Sequence, residues 1–290
     1  MTALQTTPII ARLDDIAADY DALYCDLWGC LHNGLAAYPA AVAALRAFRA
    51  QGKSVILMTN APRAAEPVAR HLATMGAPED CRDAIVSSGD AARAAVRAGD
   101  FGRRVVYVGP PRDLDFFDGL GAALVGADEA DSVICVGFVD DSSETPETYA
   151  PAIRAWRARR LPMLCANPDV IVDRGHERLY CAGAIAEAYR AAGGAVTYSG
   201  KPHAPIYALG AEVLTRLRGP GPHRVLAVGD GIATDVAGAA AQGIDTLFVT
   251  GGIAADAISD DPETPDPSRL AAFLEAQGGA APTYAIGRLR

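Results

Sequence analysis

The chain has 290 residues, 50% of them hydrophobic and 21% charged, and 35 Asp and Glu against 26 Lys and Arg set a formal net charge of -9. That length buries a substantial core, and the composition excludes a disordered or fibrous chain. Phosphate-backbone affinity comes from clustered cations, so an acidic chain with no Lys or Arg run at either terminus is not expected to bind nucleic acid.

The opening MTALQTTPII has neither a positive stretch nor a long apolar one, which reads as no signal peptide. No apolar run approaches the roughly 18 residues that span a bilayer, so no membrane partner is expected. Six scattered cysteines without a CxxC pair (Cys25, Cys30, Cys81, Cys135, Cys165, Cys181) read as reduced, buried thiols, and the expected location is cytoplasmic.

In chain order, a strand-like run at 22–31 (ALYCDLWGCL) precedes a helical pattern at 39–51, and a second run at 53–60 (KSVILMTN) precedes one at 63–75. A short run at 84–87 leads into a helix at 90–98. Apolar runs at 105–109, 132–138, 161–166 and 195–199 then alternate with helical patterns at 146–159 and 182–192. A helix at 204–217, a run at 224–229 (RVLAVG), a helix at 232–242, a run at 245–250 and a helix at 267–277 complete the series. Continuous apolar strands separated by helices indicate an α/β fold with a parallel sheet covered on both faces. The proline- and acid-rich stretches 139–147 and 257–268 read as surface loops.

Ligands of such sheets sit beyond the carboxyl ends of the strands, so the residues just after each apolar run are the ones that matter. Asp26 and Gly29 come after ALYC, the apolar start of the first run. They place a carboxylate beside backbone N–H groups that can hold an anion, or else a turn-capping Asp. Thr59-Asn60 ends the second run, and its hydroxyl can donate to a phosphate oxygen or cap the helix that begins near Arg63. Lys201, in SGKPHAP, can neutralise a phosphate or stand as a solvated charge. In VGDGIATD, Asp230 ends a strand and Asp235 lies one turn on. With Asp26 they form an oxygen donor set for Mg²⁺, the alternative for Asp235 being a helix-dipole partner.

These four motifs in this order closely resemble those of the haloacid-dehalogenase-like phosphohydrolases. TNAPR (59–63), SSGD (87–90), ANPD (166–169), GKP (200–202) and DGIATD resemble the IIA subclass, the branch of sugar-phosphate, nucleotide and 4-nitrophenyl phosphatases. The resemblance implies a Rossmann-like doubly wound core of residues 1–85 and 188–290 and an inserted α/β cap of residues 86–187. It implies Asp26 as nucleophile and metal ligand, the Trp28 carbonyl and Asp230 as further ligands of Mg²⁺, and Asp235 behind them. Thr59 and Lys201 would bind the transferring phosphoryl group of a small phosphorylated metabolite. Gly29, Asn60, Arg63 and, on the cap, Arg174 or Arg178 would line the substrate, with Arg174 and Arg178 alternatively plain surface charges. Trp156 reads as a packing or dimer-contact residue, which leaves a homodimer open.

One position departs from the pattern. The family's phosphatases carry a second Asp, the general acid–base, where this chain has Trp28. Losing such a group costs roughly 10²–10⁴ in rate. His32, four residues on, is either its replacement or a histidine packed in the loop. Three readings therefore stand: a phosphohydrolase working through an aspartyl-phosphate, a dehalogenase or phosphonatase with the same nucleophile, and a binding module that has lost catalysis. Retention of the Asp230/Asp235 pair and the scarcity of lysine (Lys53 and Lys201 alone) favour phosphate.

Overall fold

Apolar runs, buried along most or all of their length, build the sheet of the first unit, as expected where both faces are covered. The computed structural model describes residues 7–174 and 177–290, with backbone alone at 173–174 and 177–178. Its strands are β1 Ala22–Cys25, β2 Ser54–Thr59, β3 Ala84–Ser87, β4 Arg104–Val108, β5 Ala123–Leu124, β6 Ser132–Cys135, β7 Met163–Cys165, β8 Ile171–Arg174, β9 Glu177–Tyr180, β10 Val196–Tyr198, β11 Val225–Gly229, β12 Asp245–Val249 and β13 Tyr284–Ile286. Contacts divide the chain into two compact units, one of residues 1–58, 69–86 and 207–290, the other of residues 59–68 and 87–206.

The first unit holds a sheet in the order β13-β12-β11-β1-β2-β3. Every residue of β1 and β2 is buried. From β1 the chain steps outward through β2 and β3 on one side, and later through β11, β12 and β13 on the other. The strand order therefore reverses between β1 and β11, which pair in parallel with Cys25 opposite Val228. Such a switch point opens a crevice at the carboxyl ends of the two strands. On the face of β12 and β13 that carries Phe248 and Ala285, these two pack with Val236, Ala254, Ile258 and Leu270 in a buried cluster that seats the segment after β11 against β12.

The second unit holds a parallel sheet in the order β10-β7-β6-β4-β5 and a separate antiparallel hairpin, β8-β9. Successive strand residues point to opposite faces. Val133 and Cys135 of β6 accordingly join one hydrophobic cluster, with Met163, Trp156 and Tyr189, while Ile134 joins another, with Val105, Phe116 and Leu164. Trp156 is 4% exposed and meets Tyr189 edge-on at 6.0 Å, so it is a packing residue. All six cysteines are buried thiols. No helix among the described residues is long and apolar enough to cross a membrane.

The elements depart from the sequence-based expectation at several points, each for a local reason. The first strand stops at Cys25 rather than running to 31, because a turn with Gly29 at φ +68° follows it. The helix expected over 232–242 is a π turn, Ile232–Val236, followed by a short helix, Ala237–Ala241. The run at 195–199 is β10 and pairs with β7 in the second sheet, and contacts group it with residues 87–206. β5, the β8-β9 hairpin and β13 are too short or too polar to have been read as strands.

Candidate active site

The first unit's switch point assembles the acidic residues. Asp26 directly follows β1, and its backbone N–H donates to the Val228 carbonyl at 2.8 Å, continuing the ladder by one residue. Asp230 directly follows β11. Asp235 is brought back by the π turn, in which the N–H groups of Asp235 and Val236 both donate to the Gly231 carbonyl, at 2.9 and 3.1 Å. Each of Asp26, Asp230 and Asp235 offers an oxygen, and these oxygens lie within 4.8 Å of one another. Asp26 is half-buried and the other two are buried.

Glycines make room for this approach. A Cβ on Gly29 would lie 1.9 Å from Asp230 Oδ2, and one on Gly252 2.1 Å from the same atom. A Cβ on Gly229 would lie 2.1 Å from Asp235 Cγ. The carboxylates are also oriented: Ile253 N–H donates to Asp230 Oδ2 at 2.9 Å, and Gly231 N–H to Asp235 Oδ2 at 3.1 Å. The buried Cys30 thiol is pushed well above its usual range, first by desolvation and then by the charge of Asp230. Three hard oxygen donors, two of them buried, at such separations repel one another unless a cation lies among them, and they suit Mg²⁺ or Ca²⁺. Sequence reasoning had named all three acids, but it had no signal for Gly252, which lies after a different strand.

The loop after Asp26 folds back on itself. Leu31 and His32 N–H groups donate to the Leu27 carbonyl, at 2.8 and 3.0 Å, and Gly29 N–H donates to the His32 carbonyl at 3.0 Å. His32, which the sequence offers as a proton-transfer residue or as a histidine packed in the loop, is 2% exposed, and its Nδ1 accepts from Gly34 N–H at 3.0 Å. Desolvation, then the nearby His71, lowers its pKa to about 4.

The second unit carries the remaining residues. Thr59 is buried, and its Oγ1 accepts from Ala61 N–H at 3.2 Å. Lys201 is 3% exposed, which removes the solvated-charge alternative, since a lysine so buried requires compensating partners. It follows β10, not a strand of the first sheet. Asn60 donates from Nδ2 to the Lys201 carbonyl at 3.0 Å and to Asp169 Oδ1 at 2.9 Å, and Lys201 N–H donates to Asn60 Oδ1 at 2.7 Å. Arg63 donates from Nε to Asp113 Oδ1 at 3.0 Å. Arg174 and Arg178 are paired through backbone with Glu177 and Asp173 in the hairpin, and His176 lies outside the described residues.

Two family models match the chain: one described as haloacid dehalogenase-like hydrolase over residues 23–123, the other as HAD-hydrolase-like over residues 198–275. The D-glycerol 3-phosphate phosphatase of Mycobacterium tuberculosis is 31% identical over 261 residues, 86% of this chain and 69% of that protein. A hydrolase of the haloacid dehalogenase-like family from Brucella suis is 38% identical, with a TM-score of 0.84, 97% of this chain and 100% of that one being covered. The solved glycerol phosphate phosphatase of Mycobacterium tuberculosis, in complex with calcium, is 28% identical with a TM-score of 0.64, covering 85% of this chain and 71% of that one. It has also been solved in complex with magnesium.

Proposed function

The chain belongs to the haloacid dehalogenase-like hydrolase family, and on that premise we propose that it is a metal-dependent phosphatase of a small phosphorylated metabolite, working through an aspartyl-phosphate on Asp26. One observation carries the reading: the carboxylate oxygens of Asp26, Asp230 and Asp235 lie within 4.8 Å of one another at the switch point of a parallel sheet. The inserted second sheet supports the IIA subclass.

The residues fit a divalent cation, held by Asp26, Asp230 and the Trp28 carbonyl with Asp235 behind them, in a cradle that a Cβ on Gly29 or Gly252 would fill. Bound there, Mg²⁺ would offset most of the charge of the three carboxylates and would supply Lewis-acid stabilisation of the phosphoryl oxygens. Asp26 attacks phosphorus in line with the leaving oxygen, and water then cleaves the acyl-phosphate. Thr59 donates its hydroxyl, and Lys201 its ammonium, to the equatorial oxygens. Asp230 and Asp235, held by backbone N–H groups, keep their orientation without reorganising. In this reading Gly29 and Arg63 line the substrate.

The experiment is a panel of phosphorylated metabolites and 4-nitrophenyl phosphate, assayed with Mg²⁺ and with EDTA. Turnover of at least one compound with Mg²⁺, abolished by EDTA and restored by Mg²⁺, is the expected result. Full turnover in EDTA overturns the metal-dependent reading. Trp28 in place of a carboxylate supports one second reading, a catalytically impaired module that binds its phosphorylated ligand. Saturable ligand binding without turnover on the whole panel is its signature.

A further inference from the structure

We propose that Asn60 is a positioning residue for Lys201: a single side-chain amide clasps both backbone groups of Lys201 and ties them to the Asp169 carboxylate. This rests on the reading of Lys201 as a phosphoryl-binding group, and it moves Asn60 away from the substrate-binding role the sequence suggested.

The amide is 6% exposed and uses its donors and acceptor fully. Its two N–H groups go to the Lys201 carbonyl (3.0 Å) and Asp169 Oδ1 (2.9 Å), and its oxygen accepts from Lys201 N–H (2.7 Å). Exchanging its oxygen and nitrogen would set N–H against N–H and oxygen against two acceptors, so one orientation alone satisfies the network. An amide anchored in this way claims the N–H and C=O of one residue, and so fixes the peptide planes on either side of the Lys201 Cα.

The segments that meet here are packed too tightly to drift. A Cβ on Gly200 would lie 2.5 Å from Asn60 Oδ1, 2.7 Å from Pro168 Cδ and 2.7 Å from Ser88 Oγ. Ser88 and Ser199 hydroxyls are 2.9 Å apart, Ser199 Oγ donates to the Cys165 carbonyl at 3.1 Å, and Asp169 N–H donates to Asn167 Oδ1 at 3.0 Å. The TNAPR, ANPD and SGK segments therefore form one hydrogen-bonded knot with Asn60 at its centre. A long, flexible lysine needs such an anchor, because a displacement of about 1 Å at a phosphoryl-binding group can cost on the order of 10²-fold in rate. Asp cannot replace Asn60, having no N–H to give, and Ser keeps one donor of two.

The test is a double-mutant cycle on the full chain with 4-nitrophenyl phosphate and Mg²⁺, comparing wild type, Asn60→Asp, Lys201→Ala and the double variant. Asn60→Asp is expected to lower kcat about 10²-fold while KM changes less than about threefold, and Asn60→Ser to fall between it and wild type. If Asn60 acts through Lys201, Asn60→Asp lowers kcat less than about threefold further in the Lys201→Ala background. Additive losses overturn the inference, because they describe a residue that merely holds the fold. So does wild-type kcat in Asn60→Asp when Lys201→Ala is slow. Wild-type kcat in Lys201→Ala instead removes the phosphoryl-binding reading on which the inference stands. Circular dichroism of each variant identifies any that has not folded, and Asn60→Ser then takes the place of Asn60→Asp in the cycle.

Discussion

The Trp28 indole meets the His32 imidazole edge-on, with 5.2 Å between ring centroids and 68° between their planes. Gly34 completes the arrangement: its N–H donates to His32 Nδ1, and a Cβ on it would lie 2.2 Å from Trp28 Cη2. The loop that follows the proposed nucleophile is thus a packed unit of indole, imidazole and glycine. Nδ1 is occupied, and a pKa of about 4 leaves the ring neutral near pH 7. His32 is consequently not an imidazolium there: its one remaining N–H, on Nε2, belongs to a neutral imidazole, a far weaker acid than the charged ring.

His32 should appear in the acid stability of the protein. The unfolded chain protonates this ring near its ordinary value of 6.5, the folded chain near 4. Its stabilising effect is therefore fully present above pH 6.5 and is lost as pH falls toward 4, at most about 3 kcal/mol. His32→Phe, which keeps a ring beside Trp28, should flatten the dependence of Tm on pH across that window. It should cost about 1 kcal/mol at neutral pH by leaving Gly34 N–H without its acceptor. Thermal melts from pH 4 to 7.5 measure both. An unchanged slope would show that His32 titrates normally.

Gly29 carries the strictest steric demand of the site. Its φ of +68° already costs an L side chain roughly 1–2 kcal/mol, and its Cβ would fall 1.9 Å from Asp230 Oδ2. Gly29→Ala should displace that carboxylate, remove the rise in Tm produced by millimolar Mg²⁺, and lower turnover by more than about 10²-fold. Thermal-shift titration with Mg²⁺ reads the binding part independently of catalysis. A wild-type Mg²⁺ response in the variant would exclude Asp230 from the metal site.

Asp26→Asn keeps the size of the side chain but takes away the nucleophile. Turnover should vanish, while Tm without metal stays within a few degrees or rises, since one of three mutually repelling carboxylates is neutralised. Retention of even a tenth of wild-type turnover would mean that another group attacks phosphorus.

Trp28 bears on the leaving group. With no carboxylate at this position and His32 a neutral imidazole, neither side chain offers a strong general acid to the leaving oxygen of the proposed reaction. A phenol of pKa about 10 leaves more easily than an alkoxide whose conjugate acid lies nearer water's ~15.7. Wild-type turnover should favour 4-nitrophenyl phosphate over glycerol or sugar phosphates, and rapid acid quench should trap phosphorylated enzyme, because the same missing base slows its hydrolysis. His32→Phe should depress aryl and alkyl turnover in equal proportion. Equal wild-type rates on both ester classes, without a burst, would mean that a different side chain supplies the proton.

The sequence by itself determined the layered α/β class and which acids end its apolar strands. Continuous apolar runs such as ALYC and VLAVG must be strands buried on both faces, so the polar residues ending them, Asp26 and Asp230, necessarily stand at a sheet edge. Local periodicity carries no information about which strands become neighbours. The pairing of β1 with β11, some 200 residues apart, the return of Asp235 through a π turn and the approach of Gly29 and Gly252 to one carboxylate follow from how the layers pack. The same limit explains β10, which reads as one more core strand but pairs with β7. It also explains Asn60, whose bonds to Lys201 span 141 residues. A side-chain amide declares its donors and acceptor in the sequence, but only tertiary packing chooses their partners, because a buried amide is stable solely where the fold brings matching groups within about 3 Å.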